Sequence, residues 1–127
     1  MTKSITATLF GILEKQGKFN IYQPAPIPEW ANDERKKITT NDLLHMNSGL
    51  EWNEDYGAIS DVTSMLFQAE DMTRSQLEKP LAFQPNTHWN YSSGTTNLLS
   101  GILRKQFRSH QEYLDFWYSA LIDKIGM

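Results

Sequence analysis

The sequence predicts a mainly α-helical fold. Apolar residues recur at three- and four-residue spacings in several segments, and Ser or Thr residues stand where they can cap those segments. No segment shows the alternation of apolar and polar residues that is typical of a strand, and no internal repeat is found. With 127 residues, 39% of them hydrophobic, the chain is expected to form one small globular domain. Its four tryptophans and many turn residues favour helices packed against irregular loops.

The first half of the chain is predicted to contain two helices. The first covers residues 2–16 and ends at Gly17, with an apolar face formed by Ile5, Leu9, Ile12 and Leu13. Three prolines between residues 19 and 30 predict a long extended connection, because proline interrupts helices and central strands. Thr39 is then predicted to cap a short helix that ends at the turn 47–49.

The second half is predicted to contain four more helices. Ser60 is expected to cap a helix that reaches Ala69, and another helix is expected from about Arg74. Residues 94–105 place four apolar side chains on one helical face. Ser109 and Glu112 have the spacing of a capping box and predict one long amphipathic helix to the end of the sequence.

Composition excludes several classes of function. The net charge of −3 provides no basic stripe for nucleic acid, and no apolar stretch is long enough to span a bilayer. The absence of cysteine excludes disulfides and thiolate chemistry. The three histidines lack metal-ligand spacing, so neither a metal nor another cofactor is expected. The acidic residues at 51, 54, 55, 70 and 71 are expected to face solvent or to cap helices. We expect a soluble protein, and the cellular compartment stays open.

Two short stretches carry a more specific pattern. Lys3 stands at the start of a predicted helix, and Tyr91-Ser92-Ser93 precedes another. Between them lies the line Leu43-Leu44-His45-Met46-Asn47-Ser48-Gly49-Leu50, and the sequence Pro85-Asn86-Thr87-His88-Trp89-Asn90 leads into Tyr91. Together with the final Ile125-Gly126-Met127, these segments resemble those of the serine β-lactamases and penicillin-binding proteins. The branch they resemble most contains class C β-lactamases, 6-aminohexanoate-dimer hydrolase and related carboxylesterases.

The resemblance implies a fold and a chemistry. Residues 1–127 would be a partial domain, the helical lobe of the β-lactamase/transpeptidase-like α/β fold, without its antiparallel sheet lobe. Lys3 would be the lysine of the Ser-x-x-Lys motif, whose nucleophilic serine would immediately precede Met1. Tyr91 would act with Lys3 as the general base for that serine, and Ser93 would complete the hydrogen-bond network. The substrate would be a small ester or amide, cleaved through an acyl-enzyme.

Some consequences and alternatives stay open at this level. The chain alone is predicted to be inactive, because the serine and the strand that completes the oxyanion hole are absent from it. Tyr56 would either hydrogen-bond the substrate or be a packed aromatic residue. Asn86 replaces the glycine usual in the family's motif and is expected to tolerate a positive φ. The chain could instead be a noncatalytic helical binding module, or an unrelated helical domain in which Lys3 and Tyr91 lie far apart.

Overall fold

The structure, a computed structural model that describes residues 1–127, is mainly helical and contains no strand, as predicted. Seven α-helices follow one another: α1 (Thr2–Lys15), α2 (Thr40–Leu44), α3 (Asp61–Phe67), α4 (Met72–Leu77), α5 (Ser93–Arg104), α6 (His110–Trp117) and α7 (Asp123–Ile125). Short 3₁₀ turns occupy Pro28–Trp30 and Glu34–Lys37. Isolated backbone bridges join Pro24 to Thr39 and Leu50 to Leu81.

Side-chain caps define where several helices begin, because the first turn of a helix leaves backbone N–H groups without helical partners. Thr39 and Ser60 each form a complete capping box, at the start of α2 and α3 respectively. Ser109 accepts a hydrogen bond from the Glu112 amide at 3.1 Å, but Glu112 accepts from the Arg108 amide and not from Ser109 itself. The predicted caps are therefore confirmed. At Ser109 only the cap itself forms, and the return bond of a capping box, from the Ser109 amide to Glu112, is replaced by the bond from Arg108.

The main core lies between α1 and α5. Leu9, Phe10 and Leu13 of α1 are buried, and their face meets a buried face of α5 formed by Leu98, Leu99, Ile102 and Leu103. A side chain of this size contributes roughly 1.5–3 kcal/mol when it is fully buried. This packing places the first turn of α1 beside the first turn of α5.

The proline-containing connection wraps around this core and ties α4 to it. Trp30 is buried and donates its indole N–H to the carbonyl of Leu77 at 2.9 Å. Arg35 donates to the carbonyls of Leu77 and Lys79, at 3.0 Å each, so its half-buried guanidinium satisfies the end of α4. The charged residues 33–37 thus form a 3₁₀ turn that Asp33 caps, and the Arg35 side chain points inward from it.

The two motif segments before Tyr91 pack against each other. The amide of Asn86 donates to the Asn47 carbonyl at 2.7 Å, and the amide of Asn90 donates to the Met46 carbonyl at 2.8 Å. Gly49 has a φ of 80°, and a Cβ there would lie 2.1 Å from the Phe83 carbonyl oxygen, so only glycine fits. Asn86 has a φ of 65°, which confirms the expectation of a positive φ. These bonds lead the chain into Tyr91 along a defined path.

The predicted helices differ from the structure at three places. The helix capped by Ser60 ends at Phe67, so Ala69 lies outside it, and the next helix starts at Met72, where Asp71 caps it. The predicted final helix is interrupted by a π-helical stretch at Tyr118–Ile122. Because π-helical hydrogen bonds span five residues, this stretch breaks the α-helical period, and Ile125 is exposed instead of sharing the face of Leu121.

The helices are too short and too polar to cross a lipid bilayer.

Candidate active site

Lys3 lies in the first turn of α1 and reaches across to the start of α5. Its Nζ atom donates to the Ser93 hydroxyl at 3.2 Å and lies 4.3 Å from the centroid of the Tyr91 ring. An ammonium above an aromatic face is attracted by the negative charge of that face. The structure thus brings together Lys3, Tyr91 and Ser93.

Buried contacts on the inner side of the chain fix the turn that carries Tyr91 and Ser93. Ser92 caps α5 by accepting from the Thr95 amide at 2.9 Å, and its hydroxyl donates to Oε1 of Gln76 at 3.1 Å. Gln76 is fully buried. A Cβ on Gly94 would lie 2.6 Å from both Gln76 and Trp52, so the glycine allows α5 to approach these two residues closely. Buried contacts therefore set the position of the turn.

The Glu54 carboxylate accepts hydrogen bonds from several polar groups of the site. Its Oε2 atom accepts from the Ser93 amide at 2.9 Å and from the indole N–H of Trp52. Its Oε1 atom accepts from the Ser93 hydroxyl at 2.5 Å and from the Tyr56 hydroxyl at 3.1 Å. The carboxylate also lies at the positive N-terminal end of α5. Four donors thus converge on one carboxylate.

The environment of Glu54 lowers the pKa of its carboxyl group below the usual value. Partial burial alone raises this pKa, but the hydrogen bonds from the amide and hydroxyl of Ser93, from Trp52 and from Tyr56 together outweigh that effect. Each of these bonds stabilises the ionised form. At neutral pH the site therefore contains a carboxylate and an ammonium joined through one hydroxyl group.

Tyr56 lies on the exposed side of this network. Its hydroxyl is bonded to Glu54 and lies 3.5 Å from the Ser93 hydroxyl, while 62% of the residue is exposed. The ring is therefore not a packed core aromatic. It also lines a surface cleft of about 430 Å³ with Ile59 and Phe67.

The Tyr91 ring lies on an open surface of the molecule. The Lys3 ammonium contacts the face of the Tyr91 ring and donates its hydrogen bond to Ser93, not to the phenol oxygen. Tyr91 is 47% exposed, and the four main clefts of the molecule are lined by other residues. The exposed face of Tyr91 is therefore accessible to a further group.

A helical fold that joins a first-turn lysine to a Tyr-Ser-Ser turn has the arrangement expected for the helical part of a serine-hydrolase-like fold. The family model described as Beta-lactamase matches residues 1–127, and the chain belongs to the beta-lactamase family. No curated protein matches the chain. The family membership predicted from the motifs is therefore confirmed, and the alternative of an unrelated helical domain is wrong. The catalytic roles of Lys3, Tyr91 and Ser93 and the substrate-binding role of Tyr56 stay predictions.

The role of Glu54 is not predicted by the sequence, which indicates only that the acidic residues near position 54 face solvent or cap helices. Glu54 does bind the first turn of α5, but it also bonds three side chains of the site. The nearest signal in the sequence is its place two residues after Trp52 and two before Tyr56, and that spacing alone does not identify a shared partner.

Proposed function

We propose that this chain is the helical lobe of a β-lactamase-related serine hydrolase that cleaves a small ester or amide through an acyl-enzyme. The observation that carries the proposal is the contact of one ammonium, on Lys3, with both the Tyr91 ring and the Ser93 hydroxyl. The chain belongs to the beta-lactamase family, and the segments that contain the three residues resemble motifs of that family. Their juxtaposition supports the proposal because it puts a positive charge beside the Tyr91 phenol.

The nucleophile of the proposed reaction is a serine directly before Met1. Helix α1 begins at Thr2, and the Ile5 amide already donates to the Met1 carbonyl at 3.1 Å. A residue three positions before Lys3 would share its face of the helix. Tyr91, as a phenolate stabilised by Lys3, would accept the proton of the serine hydroxyl as its oxygen attacks the substrate carbonyl.

The remaining parts of the reaction are assigned outside the 127 residues. In the proposed enzyme the sheet lobe of the same polypeptide covers the open surface around Tyr91 and supplies a backbone N–H to the oxyanion. The Tyr56 hydroxyl, on the exposed side of the Glu54 network, would contact the substrate. No cofactor is needed for this chemistry, and the 127 residues alone are expected to be inactive.

The experiment that tests this proposal begins with the nucleotide sequence flanking the reading frame. We expect a serine codon directly before that of Met1 and a Lys-Thr-Gly or His-x-Gly motif downstream. The polypeptide expressed with these flanks should be labelled by a fluorophosphonate, and Lys3→Met and Tyr91→Phe should each slow labelling at least tenfold. A different residue before Met1, or labelling that neither substitution slows, would overturn the proposal.

A second function is supported by the exposed aromatic residues around the site. Trp89 is 65% exposed and lies beside Tyr91, with ring centroids 6.3 Å apart. Exposed apolar patches are common features of binding surfaces, so the same face would suit a noncatalytic helical binding module. Stop codons on both sides of the reading frame would favour this function over the hydrolase.

A further inference from the structure

The hydrogen bonds of Glu54 all run in one direction, from donor groups to the carboxylate. The Ser93 amide and the Trp52 indole can only donate, and both bond to Oε2. The hydroxyls of Ser93 and Tyr56 are both bonded to Oε1. Each carboxylate oxygen therefore accepts two hydrogen bonds, which is within its capacity.

This arrangement determines the role of the Ser93 hydroxyl. A hydroxyl group has one proton and two lone pairs, and the Ser93 proton is committed to Glu54 at 2.5 Å. The oxygen can then only accept from Lys3, whose Nζ lies 3.2 Å away. An ammonium group is the matching donor, so the three groups form a chain with one polarity from Lys3 through Ser93 to Glu54.

We propose that Glu54 is a positioning residue of this site, which orients the Ser93 hydroxyl as an acceptor and so holds the Lys3 ammonium over the Tyr91 ring. Its effect on Lys3 passes through Ser93, because Ser93 is the group bonded to both. A catalytic consequence of this role rests on the proposed function. The location of Lys3 relative to Tyr91 is a geometric consequence that does not depend on the proposed function.

Replacing Glu54 by glutamine is the sharpest change, because it keeps the shape of the side chain. With the amide oxygen in the place of Oε2, the NH₂ group faces the hydroxyls of Ser93 and Tyr56 and donates to them. The Ser93 proton then loses its acceptor, and the negative charge that orients it is removed. Glu51→Gln is the matched control, since it removes the same charge from the same loop at an exposed residue. Both variants should keep the circular dichroism spectrum of the helical chain.

The position of Lys3 can be measured in the 127-residue chain by NMR. Its side-chain protons should be shifted upfield by the Tyr91 ring current, and Tyr91→Leu should abolish the shift and so identify its source. Glu54→Gln should remove most of this shift and raise the hydrogen-exchange rate of the Lys3 ammonium at least threefold. Glu51→Gln should change neither. A Glu54→Gln variant that keeps both the shift and the exchange rate of the wild-type chain would overturn the positioning role.

The catalytic consequence is measured separately in the polypeptide expressed with its natural flanking sequence. Glu54→Gln should lower kcat at least tenfold and raise KM by a smaller factor, because the substitution misplaces Lys3 and also alters the hydrogen bond that holds the Tyr56 hydroxyl. An unchanged kcat in an active polypeptide would overturn the catalytic consequence. An inactive wild-type polypeptide would contradict the proposed function instead, and the NMR result would still decide whether Glu54 positions Lys3.

Discussion

The Lys3 ammonium and the Ser93 hydroxyl, 90 positions apart in sequence, are joined by a hydrogen bond of 3.2 Å. The bond connects the first turn of α1 to the first turn of α5, and those helices are aligned by the apolar core between them. A hydrogen bond that involves a charged group adds about 1.5–3 kcal/mol to stability. The bond also joins two of the residues to which the proposed function assigns a catalytic role.

The first prediction concerns activity. The 127-residue chain should release no burst of nitrophenol from nitrophenyl acetate above the slow background, because an acyl-enzyme needs an activated nucleophile and oxyanion donors. Stopped-flow absorbance measures the burst. A burst that Tyr91→Phe abolishes would show that the chain is active by itself and would refute this prediction.

The second prediction concerns the pH dependence of stability. The pKa of Glu54 is lower in the folded chain than the ordinary value of 4.5, so folding is favoured by its ionisation. This contribution is fully present above the unfolded pKa and is lost as the pH falls through the lower, folded pKa. Glu54→Gln should therefore be less stable than wild type at pH 7, and the difference should shrink below about pH 4.5.

Urea unfolding from pH 3 to pH 7 measures this difference. Asp33 and Glu34 also have lowered pKa values, each mainly because of a hydrogen bond from a neighbouring basic side chain. They are unchanged in the variant, so the difference between the two proteins isolates Glu54. A difference that stays constant over the whole range would show that ionisation of Glu54 is not the cause.

The third prediction compares two helical glycines. Gly94→Ala would place a Cβ 2.6 Å from Gln76 and Trp52, and such overpacking costs roughly 1–3 kcal/mol. Gly11→Ala, in the middle of α1, meets nothing within 4 Å and should stabilise the chain by about 0.5–1 kcal/mol. Thermal unfolding of the two variants gives the comparison. Equal effects would mean that α5 does not approach Gln76 and Trp52 as closely as described.

The fourth prediction concerns the buried support beneath the site. Gln76→Met would remove the acceptor of the Ser92 hydroxyl, and leaving a buried donor unsatisfied costs about 1–3 kcal/mol. Gln68→Met, at an exposed position, should change stability by less than about 0.5 kcal/mol. Chemical unfolding measures both. A Gln76→Met variant as stable as Gln68→Met would argue against the Ser92–Gln76 hydrogen bond.

The sequence by itself determined the helical class, most of the helix starts and the family. Caps such as Thr39 and Ser60 act within four residues, and an apolar helical face repeats over a few turns, so both are readable locally. Helix ends were less accurate, since the end of α3 at Phe67 and the π-helical stretch after Trp117 depend on packing. Motif residues could be named because family motifs are themselves local patterns.

Only the tertiary structure decided which of these residues meet. Lys3 reaches Ser93 because buried side chains align α1 with α5, and Glu54 joins them because its loop lies across the start of α5. The sequence contains no local sign of that loop's path, so one acidic residue among several neighbours could not be singled out. Long-range packing places Glu54, and none of its acidic neighbours, where it accepts four hydrogen bonds.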